Sequence, residues 1–182
     1  MGAWWAPQAG AADRERLVEV LRCALESAGA VKERAWGDVV SGELIDGDHR
    51  GFSFQIAQQS VQLRPSRKSP WDGVWIDSFD DLVASKMVAL VERGAPRDFL
   101  DIYSVCEAGL ATVDRCWELW VERSRLEGSE PSFERARLAV ESHLARIVRY
   151  RPLDSIDDAD ERRRAQAARR WYREELLDAI SR

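Results

Sequence analysis

Apolar positions along the chain fall into three successive patterns. Between Ala12 and Ala28, residues Leu17, Val20, Leu21, Ala24, Leu25 and Ala28 recur at offsets of 3, 4, 7, 8 and 11, one face of an amphipathic helix. Gly29 follows as a natural stop. The next pattern is short and partly alternating. Val31–Trp36, Val39–Ile45, Phe52–Ile56 and Val61–Leu63 read as strands of an antiparallel meander, separated by turn residues at Gly37-Asp38, Asp46-Gly47-Asp48 and Gln58-Gln59-Ser60. Pro65 to Pro70 reads as a loop, and Val74–Ile76 as a last short strand. From there the pattern is helical. Asp77-Ser78 supply a cap, with Asp80 and Asp81 in the first turn where the helix dipole favours negative charge. This helix runs to about Arg93 and stops at Gly94-Ala95-Pro96. Further helices are predicted from Arg97-Asp98 to Ala108, from Thr112 to Leu126 and from Pro131 to Arg149. After Arg151-Pro152, an acidic loop leads into a highly charged final helix ending at Arg182.

Composition narrows what such a chain can be. Its 182 residues are 45% hydrophobic and 32% charged, enough for a packed core. The net charge of -5 argues against bulk DNA binding, although a local basic patch is compatible with it. No apolar run reaches the roughly 18 to 20 residues needed to cross a bilayer, so no membrane association is expected. The apolar opening, Met1 to Pro7, lacks the basic start of a secretion signal. Cys23, Cys106 and Cys116 are odd in number and form no CxxC, so they read as buried free thiols and point to a reducing, cytoplasmic location. His49 and His143 are too few and too scattered for a histidine-rich metal site.

Of the 27 basic residues only Lys32, Lys68 and Lys86 are lysines. A lysine inside an apolar helix is therefore conspicuous, and Lys86 is one. Lys86 and Arg93 are seven residues apart and share a helix face. After the Gly94-Ala95-Pro96 turn, Arg97, Asp98 and Asp101 open the next helix. A helical hairpin would bring both cations near Asp98 and Asp101. From the residues alone, two readings stand. One is a buried ion-pair network that fixes the hairpin angle. The other is a phosphate-handling cluster, with Lys as a point charge, Arg as a planar fork and a carboxylate as orienter or general base.

The pattern Ala-Ser-Lys-x-x-Ala-Leu-x-x-Arg-x-x-x-Arg-Asp-x-x-Asp-Ile over residues 84–102, with its lead-in Asp77 to Leu82, resembles the second conserved block of the AbiEii/AbiGii nucleotidyltransferase toxins of abortive-infection type. The resemblance implies a nucleotidyltransferase-like α+β fold, a small antiparallel or mixed sheet with helices, followed by a helical C-terminal half. It implies transfer of NMP from an NTP, with Mg2+, to RNA (tRNA among the acceptors) or to protein, in a phage-defence or toxin–antitoxin setting with an antitoxin partner. By position, Lys86 and Asp98 match the catalytic Lys and Asp, Lys86 and Arg93 would bind the nucleotide, and Arg97 and Asp101 would support them. The family's first block, a Gly-Gly or Gly-Ser turn followed by an Asp-x-Asp metal pair, has no counterpart upstream of Lys86. Asp46-Gly47-Asp48 spells Asp-x-Asp but reads as a hairpin turn. Against the family pattern, the chain begins after the first block, as a naturally shortened protein or a fragment of a longer one.

The expected organisation is a partial nucleotidyltransferase-like core at residues 1–110 and a helical region at 111–182. The alternative to an enzyme is a non-catalytic binding or assembly subunit of the same kind of system, joined to a second protein subunit. Among the remaining features, Asp154 to Asp160 reads as a charge-complementing helix start. Arg64, Arg67 and Lys68 with Trp71 and Trp75 could contact single-stranded RNA, against a solvated loop with packing tryptophans. Trp117 and Trp120 read as helix packing, Arg162–Arg164 and Arg169-Arg170 as a solvated helix face, and Cys23 and Cys106 as core thiols. Trp4-Trp5 would either pack back on the core or mark a partner surface.

Overall fold

The computed structural model describes residues 2–5, 10–26, 29–36, 39–46, 49–58, 61–70 and 75–181. They form an α+β protein in two compact units, residues 1–60 and 61–182. Among the described residues, no helix is long and apolar enough to cross a membrane.

The first unit contains strand β1 (Gly2–Trp5), helix α1 (Ala11–Glu26), and strands β2 (Ala30–Trp36), β3 (Val39–Asp46) and β4 (His49–Gln58). The sheet order is β1-β4-β3-β2. The β2-β3-β4 meander is antiparallel, as the turn signals predict, with Val40 opposite Ile56 and Gly42 opposite Phe54. Strand β1 was not expected. It runs parallel to β4 with Ala3 opposite Ile56, and the side chains of Trp4 and Trp5 lie outside the described part of the structure. Gly42 has a local reason: a Cβ there would meet the Phe54 ring at 2.4 Å, so glycine lets the aromatic lie across β3.

Two expectations for α1 are corrected. Its apolar face is not buried: Leu17 and Val20 are exposed, and no residue of the helix is fully buried. Cys23 is likewise exposed rather than a core thiol. Amphipathic spacing fixes which residues share a face, but burial needs an apolar surface opposite that face.

The second unit contains a two-stranded hairpin, β5 (Arg67–Lys68) with β6 (Trp75–Ile76), and helices α2 (Phe79–Glu92), α3 (Pro96–Glu107), α4 (Val113–Leu126), α5 (Phe133–Tyr150) and α6 (Ala159–Trp171). Part of the segment predicted as a loop is thus strand β5, while Val61–Leu63, predicted as a strand, is not one. The reason is Asp81. Its carboxylate accepts the backbone N–H groups of Leu63 at 2.7 Å and Arg64 at 3.1 Å, taking donors that a strand would give to a ladder. Ser78 caps α2 by accepting the Asp81 N–H at 3.0 Å, and its hydroxyl donates back to the Asp81 carboxylate at 2.6 Å. Buried Arg123 of α4 completes the arrangement with a 3.2 Å ion pair to Asp81.

The core of this unit joins all five helices through Met87, Leu90, Ile102, Leu119, Val140 and Ala168, with Tyr172 just beyond α6. Trp117 and Trp120 pack edge to face at 5.5 Å, as their spacing predicts, and Phe133 joins them. Their polar edge is satisfied too, because Trp117 Nε1 donates to the Leu176 carbonyl at 3.0 Å. The final helix is not regular to Arg182. Regular α-helix ends at Trp171 and widens into a π turn, Tyr172–Leu176, with Leu177 N–H bonding back to the Tyr172 carbonyl. A short 3-10 turn, Asp178–Ile180, follows. The basic runs are also not uniformly solvated. Arg162 is half-buried and donates to the Ile156 carbonyl, and Arg169 is buried.

Candidate functional site

The turn between α2 and α3 gathers the cluster. Gly94 ends α2 with φ +52°, its N–H returning to the Ala89 carbonyl at 3.0 Å. Glycine is doubly required there, since a Cβ would lie 2.4 Å from His143 on α5. Helix α5 also clamps the turn. His143 Nε2 lies 3.1 Å from the Val91 carbonyl, and Arg146 donates to the Arg93 carbonyl at 2.6 Å. Pro96 then starts α3 with its preset φ.

Asp98, in the first turn of α3, is the centre of the site. It is fully buried, and Arg93 grips it with Nε at 2.9 Å and Nη2 at 3.1 Å, a bidentate fork. The Ala95 N–H adds a third donor at 3.3 Å. Lys86 Nζ reaches Asp98 at 3.6 Å and Asp101 at 2.6 Å. Burial alone would raise the Asp98 pKa, but the Arg93 hydrogen bonds and charge, then the Lys86 charge, outweigh it and hold the carboxyl below its ordinary range. The same hydrogen bond raises the Arg93 pKa against the opposing effect of its partial burial.

Lys86, Arg93, Asp98 and Asp101 are therefore brought together, whereas Arg97 is exposed and lies outside their hydrogen bonds. Asp98 is saturated and poorly placed to accept a proton. The cations are different: Lys86 and Arg93 remain 40% and 54% exposed, available to an outside anion while Asp98 fixes their heads. Sequence patterning missed the α5 contribution of His143 and Arg146, because no local signal marks a contact between segments about 50 residues apart. It also missed the burial of Asp81, although Ser78-x-x-Asp81 carries the spacing of a capping box.

Among the described residues, no group of three His, Cys, Asp or Glu side chains could hold a metal ion. Asp98 and Asp101 are both committed to cations, and Gly47-Asp48 of the Asp-x-Asp spelling lies outside the described residues. A two-metal carboxylate site does not fit these side chains.

A family model described as the nucleotidyl transferase AbiEii toxin of type IV TA systems matches residues 57–179, more than half of the chain. No curated protein and no solved structure matched it.

Proposed function

Since the chain belongs to the AbiEii nucleotidyltransferase toxin family of type IV toxin–antitoxin systems, we propose that Lys86 and Arg93 bind the triphosphate of an NTP, with Asp98 as the residue that positions them. The carrying observation is the contrast between one buried, saturated carboxylate and two cations that it holds half-exposed. A pre-oriented ammonium and guanidinium suit phosphate oxygens, because little side-chain freedom is left to lose on binding. Asp98 holds the Arg fork rather than serving as a base, since its pKa is lowered and its oxygens are engaged. Asp101 supports Lys86 from the next turn.

On this reading the protein transfers NMP to an RNA such as tRNA, or to protein, in the cytoplasm, opposed by an antitoxin. Magnesium would supply charge neutralisation for such a transfer, but the described side chains do not fit it. A second reading, a non-catalytic nucleotide-binding subunit acting with another protein, is favoured by the commitment of Asp98 and Asp101 to Lys86 and Arg93, which leaves neither carboxylate for a metal.

Two assays on one set of proteins separate the readings. NTP binding is measured by calorimetry, and labelled-nucleotide transfer is measured with magnesium and bulk tRNA. Wild type is compared with Lys86→Ala and Arg93→Ala. Binding lost by about tenfold or more in both variants, with transfer by wild type, supports the enzyme; binding without transfer supports the subunit. Unchanged binding in both folded variants rejects the assignment of Lys86 and Arg93.

A further inference from the structure

A second concave site lies elsewhere in the helical unit. A cavity of about 310 Å3 opens where the start of α3, the end of α5, the segment 151–158 and α6 meet. Phe99, Leu144, Ile147 and Ile156 form its apolar wall, and Ala165 and Ala168 keep the α6 side open. None of Lys86, Arg93, Asp98 or Asp101 lines it.

The charged residues of this cavity are equal in number, three carboxylates and three arginines, but they are not equally paired. Three carboxylates face it, and each is engaged. Glu161 pairs with Arg151 at 2.6 Å, Asp158 accepts the Glu161 N–H at 2.7 Å as the cap of α6, and Asp160 pairs with Arg163. Arg164 and Arg169 also line the cavity, and neither pairs with a carboxylate among the described residues. Arg169 is the unusual one. It is 9% exposed, and its Nη2 donates to the Arg151 carbonyl at 2.6 Å. Burial pushes its guanidinium below the ordinary value, and the charges of Arg151 and Arg173 add to that. A buried cation facing an apolar cavity without a counter-ion is costly, and a bound anion would offset that cost.

The walls are also fixed in advance. Arg162 ties α6 to the Ile156 carbonyl, Arg169 ties it to the Arg151 carbonyl, and Tyr172 donates from its hydroxyl to the Phe99 carbonyl at 2.9 Å. Tyr172, which lines the cavity, is where α6 widens into the π turn, a distortion often found at functional sites. The volume sits at the small end of ligand pockets, which span about 300 to 1,000 Å3.

We propose that this cavity binds a small organic anion, one or two aromatic rings bearing a single carboxylate or phosphate, with the rings against Phe99, Leu144, Ile147 and Ile156 and the anionic group at Arg169 and Arg164. The site is separate from the one proposed for NTP, and its occupancy does not depend on that reading.

The test is calorimetric titration of the full chain with three probes: 1-naphthylacetate, phenyl phosphate, and uncharged 1-naphthaleneethanol. At least one anion is expected to saturate a single site, with the alcohol at least tenfold weaker; whichever anion binds tighter identifies the preferred headgroup. Ala165→Leu, which fills the cavity without changing charge, is expected to weaken anion binding at least tenfold. Arg169→Gln should do the same, and Arg164→Gln should weaken it about threefold. No saturable binding of either anion overturns the proposal, as does equal binding of the alcohol, or undiminished binding by Ala165→Leu. Should Arg169→Gln fail to fold, as judged by its circular dichroism, the charged–uncharged comparison and Ala165→Leu still decide.

Discussion

The sheet unit and the helical unit hold themselves together by different means. In the first, backbone ladders link four strands, but among its described side chains only Ile56 is a buried apolar residue, and α1 buries none. In the second, an uninterrupted apolar core joins five helices and contains charged residues, Asp81, Asp98, Arg123 and Arg169, each with hydrogen-bond partners. The family match, residues 57–179, falls almost wholly on the second unit. Buried charge is tolerated where a core is dense enough to hold its partners in place. That is also where the candidate sites lie.

The largest effect that would test this contrast comes from Asp81→Ala. It strips partners from two backbone N–H groups and from buried Arg123, and should destabilise the helical unit by about 3–5 kcal/mol. Urea unfolding followed by far-UV circular dichroism measures it. Hydrogen exchange in β2–β4 should be unchanged, and an equal rise there would refute the separation of the units. Next is Gly94→Ala, where φ +52° and the approach of His143 together predict a loss of about 2–3 kcal/mol, read from the same urea transition. Gly42→Ala strikes the sheet unit instead. A Cβ against the half-buried Phe54 ring should cost about 1 kcal/mol, seen as faster exchange of β3 and β4 amides with the helical transition unmoved.

The smallest effect is a pH dependence. The Asp98 pKa is lowered in the folded state, so its contribution is fully present above the unfolded carboxyl value of about 3.9 and is lost as pH falls through the folded value. Wild-type stability should therefore drop below about pH 4 more steeply than that of Asp98→Asn. Parallel acid unfolding curves would mean that Asp98 is not held as a charged group.

Much of this molecule is legible in residue order. The antiparallel meander follows from turn residues between alternating runs. The caps Ser78, Thr112, Ser132 and Asp158 each sit one residue before a helix and accept an N–H from its first turn. The seven-residue spacing of Lys86 and Arg93 and the turn at Gly94 anticipate a cluster with Asp98 and Asp101, and the distances agree. These are local matters, decided within one or two helical turns.

What residue order could not settle is which of two chemically similar features is buried. Cys23 and Cys116 both lie in helices with apolar stripes, yet one is exposed and the other fully buried. Asp80 and Asp81 are neighbours in one first turn. Asp80 is only partly buried and pairs with Arg115, while Asp81 is buried and dictates the path of Leu63 and Arg64. Arg169 and Arg170 differ in the same way, one turned into a cavity wall and one exposed. The sequence alone determined most of the helices, the cap at Ser78, the meander and the Lys86–Asp101 grouping, because each depends on contacts between residues near in the chain. Only the tertiary structure decided burial, the clamp from α5 and the cavity beside α6, because those depend on which distant surface arrives opposite each face.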